Sequence, residues 1–474
     1  MDSRCLWPVV YNASMVDAYD YGAVGDGKAN DTEALVHALH AGDGILDLRK
    51  GTYRITRPLV VDLARTGYAS VRGQGGASRI VMTGAGPAIR LVGSHQGTSA
   101  PRTIKPPVWE RERFPTIDGI EIVGTHPQAV GIELRKTMQA TISRVLVRNC
   151  RHGIHLVERN RNFVLSDSHL YDNAEYGLFF DRCNLHQIIV HGNHISFNKR
   201  AGIKSRDGDV HNLQITGNDI EYNNDPGSKP LTGQKPAGAE IWFEANEGII
   251  SEVTIASNTI QATVQPGGAN IRIHGPHKNS PTGARLIAIN GNVIGSQIRG
   301  IELLHAHRVA ITGNTIYDSA ELSLAATHCS AIAVGANTVA WRNVDTEPPR
   351  DGFLFEDCDN CALTGLVTHK LGYGHRKRGG AITLLRCTDM AVTGCQLTDP
   401  RVRGIDMIDC SRCRVSDNSI VDRREPAMMR NAIRLTGRGE DNLVQHNLVG
   451  GAAGRDIDVP NGLAVLNDNV EIKH

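Results

Sequence analysis

A phrase of six residues that carries an asparagine at its turn recurs along the chain. ITGNDI at 215–220 returns as ITGNTI at 311–316, with VHGNHI, IASNTI, INGNVI, VGANTV, VSDNSI and VQHNLV as near relatives. The asparagines are Asn193, Asn218, Asn258, Asn292, Asn314, Asn337, Asn418, Asn447 and Asn469. The spacing is 22 from Asn292 to Asn314, 23 from Asn314 to Asn337 and 25 from Asn193 to Asn218. Longer spacings, such as 40 from Asn218 to Asn258, contain Gly/Pro-rich inserts. A fixed period of this size marks a repeat architecture. The Leu-x-x-Leu-x-Leu frame of a leucine-rich repeat is absent.

A second phrase follows each asparagine phrase: GIHLVE, GLFFDR, GIKSRD, EIWFEA, NIRIHG, GIELLH, AITLLR, GIDMID, AIRLTG. Each alternates an apolar with a variable residue, the pattern of a strand with one buried face. Short strands joined by Gly and Asn turns predict a solenoid of strands. The fold class expected is all-β, a right-handed parallel β-helix. Asparagine suits the repeated turn because it tolerates the left-handed conformation and hydrogen-bonds its copy on the next rung.

Cys183, Cys358, Cys387 and Cys410 follow the second phrase, and Cys361 and Cys413 stand three residues further on. A column of small inward thiols is expected rather than zinc or disulfide, because one column lacks the tetrahedral grouping zinc needs. The net charge of +1 gives no bulk polycation for nucleic acid. No apolar run reaches the roughly 18 residues of a membrane span. No signal peptide is visible in MDSRCLWPVVYNAS.

The segment DAYDYGAVGDGKANDTEALVHAL, followed by GILDLRKGTYRIT, resembles the opening of pectate-lyase-superfamily β-helix proteins. The resemblance implies a short capping helix over about 31–41, with Asn30 and Glu33 as a capping box, inside one β-helix domain. Residues 1–45 would form the N-terminal segment and cap, and 46–474 the rungs. It also implies a secreted or periplasmic carbohydrate-active protein, monomer or homotrimer. The motif is specific for the fold. The paired-Asp motifs of polygalacturonases and the Arg-x-Pro-x-x-Arg motif of typical pectate lyases are absent.

Aligning the second phrases gives two outward columns. One reads His155, Phe179, Lys204, Trp242, Arg272, Glu302. The other reads Val157, Asp181, Arg206, Glu244, His274, Leu304. Charge and aromatic residues crowd this face, in a chain with only 5% aromatics. Inserts at 223–238, 275–283, 341–352 and 370–380 are expected to wall a groove there. Glu244 is the expected acid, since Trp242 and Phe243 would desolvate it, and Asp181 or Glu302 is its partner. Trp242 and Phe179 are expected to stack sugar rings, and Glu240 to reach the groove.

The first expectation is hydrolysis or glycosyl transfer on a polysaccharide, more specifically an acidic one, with no cofactor required. The alternative is β-elimination from a uronate, for which Lys204, Arg206, Arg272, His274 and His155 supply base and cations, with Ca²⁺ as a possible cofactor. The basic loop Lys370, His375, Arg376, Lys377, Arg378 would attract an acidic polymer. A glycan-binding or tailspike-like protein without catalysis is the third reading.

Overall fold

The computed structural model describes residues 16–224, 238–277, 283–341 and 352–472. The chain winds as a right-handed parallel β-helix. Strands Ala201–Arg206, Asp209–Thr216 and Asp219–Glu221 follow one another around one turn. They pair in parallel with Ala239–Glu244, Ile249–Ala256 and Thr259–Gln261 of the next. Ile203, Ile241, Ile271 and Ile301 lie in register and are fully buried. The apolar member of each alternating pair thus becomes one stacked core. No helix among the described residues is long and apolar enough to cross a membrane.

The recurring asparagine forms a continuous ladder. The Nδ2 of Asn193 donates to Oδ1 of Asn218 at 3.0 Å, and the same contact links Asn218 to Asn258, Asn258 to Asn292, Asn292 to Asn314 and Asn314 to Asn337. Each Oδ1 also accepts the backbone N–H of the asparagine one rung before. The ladder is interrupted at Leu366 and Cys395 and resumes from Asn418 through Asn447 to Asn469.

A second, shorter ladder runs Asn173, Asn198, Asn223 at the next corner. It ends on Glu240, whose carboxylate accepts from Asn223 N at 3.0 Å and from Nδ2 at 2.6 Å. Earlier rungs have glycine at this strand entry, Gly153, Gly177 and Gly202. At this rung Glu240 supplies the acceptor for Asn223. The expectation that Glu240 reaches the groove is therefore corrected: it is fully buried. Burial pushes its carboxyl well above the ordinary value, against the hydrogen bonds of Asn223.

The N-terminal helix spans Thr32–Ala41 and buries Leu35, Ala38 and Leu39 against the core. The capping box is not formed. Asp31 stands at the cap, and its carboxylate instead accepts from Val24 N and Gly25 N, which ties down the YGAVG turn. Glu33 pairs with Arg57. The nine described cysteines are all buried and none forms a disulfide, as the thiol column requires.

Candidate active site

Strand pairing sets the columns. His155 lies opposite Phe179, Phe179 opposite Lys204, Lys204 opposite Trp242, Trp242 opposite Arg272 and Arg272 opposite Glu302. Asp181, Arg206, Glu244 and His274 form the parallel column. The eleven residues singled out in sequence do share this stretch, with Glu240 beneath it.

The first column is closed rather than open. Phe179 is buried, with His155 stacked on it at 5.1 Å and the Arg206 guanidinium 5.3 Å from its centroid. Trp242 lies between Lys204, whose Nζ is 3.6 Å from the ring centroid, and Arg272 at 5.4 Å. Both aromatics thus give their faces to neighbouring side chains. The expected sugar-stacking platform is not presented by either ring. Such cation–ring contacts stabilise a desolvated cation.

The second column is half-buried, and its acids are engaged. Asp181 receives Arg206 Nη2 at 2.7 Å, and His155 Nε2 stands 3.5 Å away. Burial works to raise its pKa, but hydrogen bonds from His155 and Arg206 outweigh it and hold the group at about 2. Glu302 meets His274 Nε2 at 2.7 Å, Arg272 Nε at 3.1 Å and Arg299 Nη1 at 2.8 Å. Burial opposes these contacts too, yet they hold Glu302 far below the carboxylate range. Neither partner acid proposed for hydrolysis carries a proton near neutrality.

Glu244 is placed differently. Its only described ionic contact is Lys204, whose Nζ lies 2.5 Å from Oε2 but off the hydrogen-bonding axis. The Lys204 side chain is 2% exposed and that of Glu244 24%. Burial lowers the Lys204 pKa to about 7, although Glu244 pulls the other way. The pair is a buried amine under a reachable carboxylate.

Lys204 makes stability depend on pH. Its folded value, about 7, lies below its ordinary 10.5, so the unfolded chain binds more protons between those limits. Stability therefore rises with pH through that window. Buried thiols such as Cys150 and Cys183, pushed up to about 12 by burial, act oppositely above their own ordinary value of 9.0. Lys204 is thus isolated below about pH 8.5. The wild type is expected to gain about 2 kcal/mol relative to Lys204→Met between pH 7 and that limit. Urea titrations of both proteins across the window check this.

A calcium ion needs several oxygens free of other charges. On this face Asp181, Glu244 and Glu302 each lie against protein cations, so the described residues do not fit the ion considered for a lyase. A different trio, His186, Asp209 and His211, brings three donor atoms within 4.8 Å of one another. The two imidazoles are stacked at 4.9 Å with 5° between their planes. Their lone pairs therefore run side by side instead of converging on one ion. Sequence alignment missed this trio because it stopped at the bulge that ends each second phrase. Carrying the rungs past Glu158, Arg182 and Asp207, all with positive φ, sets Arg161, His186 and His211 in one column.

Of the four inserts, 225–237, 278–282 and 342–351 lie outside the described residues. The basic loop is described and is clamped from below. Arg403, 2% exposed, donates to the carbonyls of His375, Arg376 and Gly379. Asp406 accepts from Gly379 N at 2.6 Å and pairs with Arg434. His375, Arg376, Lys377 and Arg378 stand exposed above it, and Asp406 continues the column that begins at His155.

Several solved structures align with the chain at low identity. The mannuronan C-5 epimerase AlgE4 A-module of Azotobacter vinelandii aligns over 96% of this chain and 100% of its own, at 12% identity and TM-score 0.44. Tailspike protein 3 of bacteriophage CBA120 aligns over 97% and 62%, at 11% identity and TM-score 0.42. The GH87 alpha-1,3-glucanase catalytic unit of Streptomyces thermodiastaticus aligns over 97% and 69%, at 14% and 0.33. No curated protein matches the sequence. Residues 111–260 and 241–473 match the model of the right handed beta helix region, more than half of the chain, and the chain belongs to that family.

Proposed function

We propose that the protein acts on an acidic glycan along the Asp181–His274 strip, and that it removes a proton beside a uronate carboxyl. The reading rests on the Glu244–Lys204 pair. Hydrolysis needs two carboxyls, one to give a proton and one to activate water or attack. Here Asp181 lies against Arg206 and His155, and Glu302 against Arg272, Arg299 and His274, which leaves Glu244 with Lys204 as its one described partner. Elimination needs one proton acceptor and cations that stabilise the carbanion-like oxyanion. Glu244 takes the proton alpha to the carboxyl at its exposed oxygen and passes it to the neutral Lys204 amine; the C–O bond at the β carbon breaks as the C=C bond forms, and the leaving sugar oxygen takes its proton from solvent. Arg206 and His274, one rung to either side, meet the substrate carboxylate. We therefore place elimination ahead of hydrolysis, the first expectation from sequence. The clamped basic loop on the same face suits a polyanion that extends along several rungs.

Digestion of a panel of neutral and uronic polysaccharides tests the reading. The expected product is an unsaturated uronate, seen by its ultraviolet absorbance, from uronic polymers only. New reducing ends without that absorbance would establish hydrolysis instead.

A further inference from the structure

Arginines in this solenoid are commonly matched to carboxylates on neighbouring rungs. Arg79 has Glu121, Arg90 has Glu133, Arg144 has Asp118, Arg206 has Asp181 and Arg434 has Asp406. Arg159 and Arg161 break the pattern. They project from the same face of one strand, His152–Ser166, and among the described residues neither lies within 4.0 Å of a carboxylate. The hydrogen-bond partner of Arg159 is His95 Nε2 at 3.2 Å. That of Arg161 is the Ser99 carbonyl at 2.5 Å, and its buried Nε has no partner. Arg161 is only 5% exposed. Burial depresses the pKa of both guanidiniums, although Asp209 acts on Arg159 from a distance.

Their surroundings add no counter-charge. His95 is fully buried and is held neutral, at about 4, by burial and by Arg159, Arg161 and His186. His186, opposite Arg161 on the next rung, is buried too. Asp209 is spent on His211 at 2.8 Å and Asn184 at 2.8 Å, and its Oδ2 stands 3.8 Å from His186 Nε2. A desolvated cation pair without a counter-ion is costly, and proteins meet that cost with a bound anion or by neutralisation. Arginine stays charged in practice. On the same three rungs, starting one residue further along the chain from Arg161, His186 and His211, lies a groove of about 430 Å³ lined by the amides of Asn162, Gln187, Asn212 and Gln214 together with Val164 and Ile189. Amides flanked by apolar carbons suit sugar hydroxyls and ring carbons.

We infer that Arg159, Arg161 and His186 bind an oxyanion, a carboxylate, sulfate or phosphate, borne by a sugar seated in the adjoining amide groove. The site lies past the Glu158 bulge from the Glu244 face. Its occupancy does not depend on the reaction proposed there.

The test is the melting temperature of the whole protein in sulfate against chloride at matched ionic strength, for wild type, Arg161→Met and Arg159→Met. The wild type is expected to show a saturable upward shift with sulfate, and each variant to bind sulfate about tenfold more weakly or not at all. In chloride, Arg161→Met is expected to be at least as stable as wild type, because it removes an unmatched charge. Arg159→Met, at a half-buried position, gives a second reading if Arg161→Met does not fold. A uronic tetrasaccharide that shifts the melting point at lower concentration than sulfate identifies the sugar-borne group. Equal potency of acetate and sulfate with no gain from the sugar rejects the groove as part of the site. An Arg161→Met protein that is less stable in chloride yet keeps the full sulfate response overturns the inference, and makes Arg161 a structural tie to Ser99. A saturable shift with Zn²⁺ that is lost in His186→Ala, and no shift with sulfate, overturns it in favour of a cation.

Discussion

A Glu244→Gln protein is expected to keep its fold and lose about 10²–10⁴-fold of its rate on an acidic glycan, the share that a positioned proton acceptor supplies. Glutamine preserves the shape of the side chain over Lys204 but accepts no proton. The same pairing sets the pH profile of the wild type. Its rate is expected to rise through about pH 7 as Lys204 loses its proton, since only the neutral amine receives the proton that Glu244 collects. In Lys204→Met that limb should vanish, with a lower plateau left. A rate that is flat from pH 6 to 8 in the wild type, or a Glu244→Gln enzyme of undiminished kcat, would remove Glu244 from the chemistry. Product formation followed by initial rates across that range decides the matter. The stability experiment on Lys204 is independent of substrate, so the buried amine is verified even if the catalytic role fails.

The second large effect is structural. Asn218→Ala is expected to destabilise the protein by about 3–5 kcal/mol, read as a lower denaturant midpoint. Asn218 is 3% exposed and stands mid-ladder. Its Oδ1 accepts from Asn193 N and Nδ2, and its own Nδ2 reaches the carbonyls of Val190 and Thr216 as well as Asn258. Alanine leaves the buried Asn193 N–H without its acceptor and removes the amide donor to Val190 O, although Asn193 Nδ2 keeps the Leu165 and His191 carbonyls; each group left unpaired costs about 1–3 kcal/mol. Because rungs touch only their neighbours, the loss also weakens the junction between the two halves of the solenoid. Cys395→Ala is the comparison. There the ladder is already interrupted, Asn418 still accepts a backbone N–H, and a much smaller loss is expected.

Much of the architecture was legible because its two periods are simple. Alternation within each second phrase placed Ile241 and Phe243 inward and Trp242 and Glu244 outward, and the pairing of Trp242 with Lys204 and Arg272 follows from counting rungs. Direction, however, is not exposure. Alternation says which way Phe179, Lys204 and Arg272 point. It does not say that stacking partners one rung away will cover them, because that depends on side-chain size across three rungs at once. Glu240 was misread for a related reason. Its place in the sequence is that of a glycine, and its role as the acceptor for Asn223 appears only in the fold. Arg159, Arg161 and His186 escaped notice because the strand continues past its bulge, and a bulge shifts the alternation by one residue.

The closure of the second ladder by Glu240 bears on how such a protein acquires new loops. Lengthening a corner strips the last asparagine of its acceptor, so the splice succeeds only with a companion change two or three positions into the following strand. Asn270 occupies the same slot one rung later and bonds the carbonyls of Ile260 and Gly295, again after a lengthened corner. At these two rungs a polar residue where a glycine is customary accompanies a lengthened corner. In a rod of this kind, it marks where a further recognition loop can be grafted without unravelling the rungs beneath.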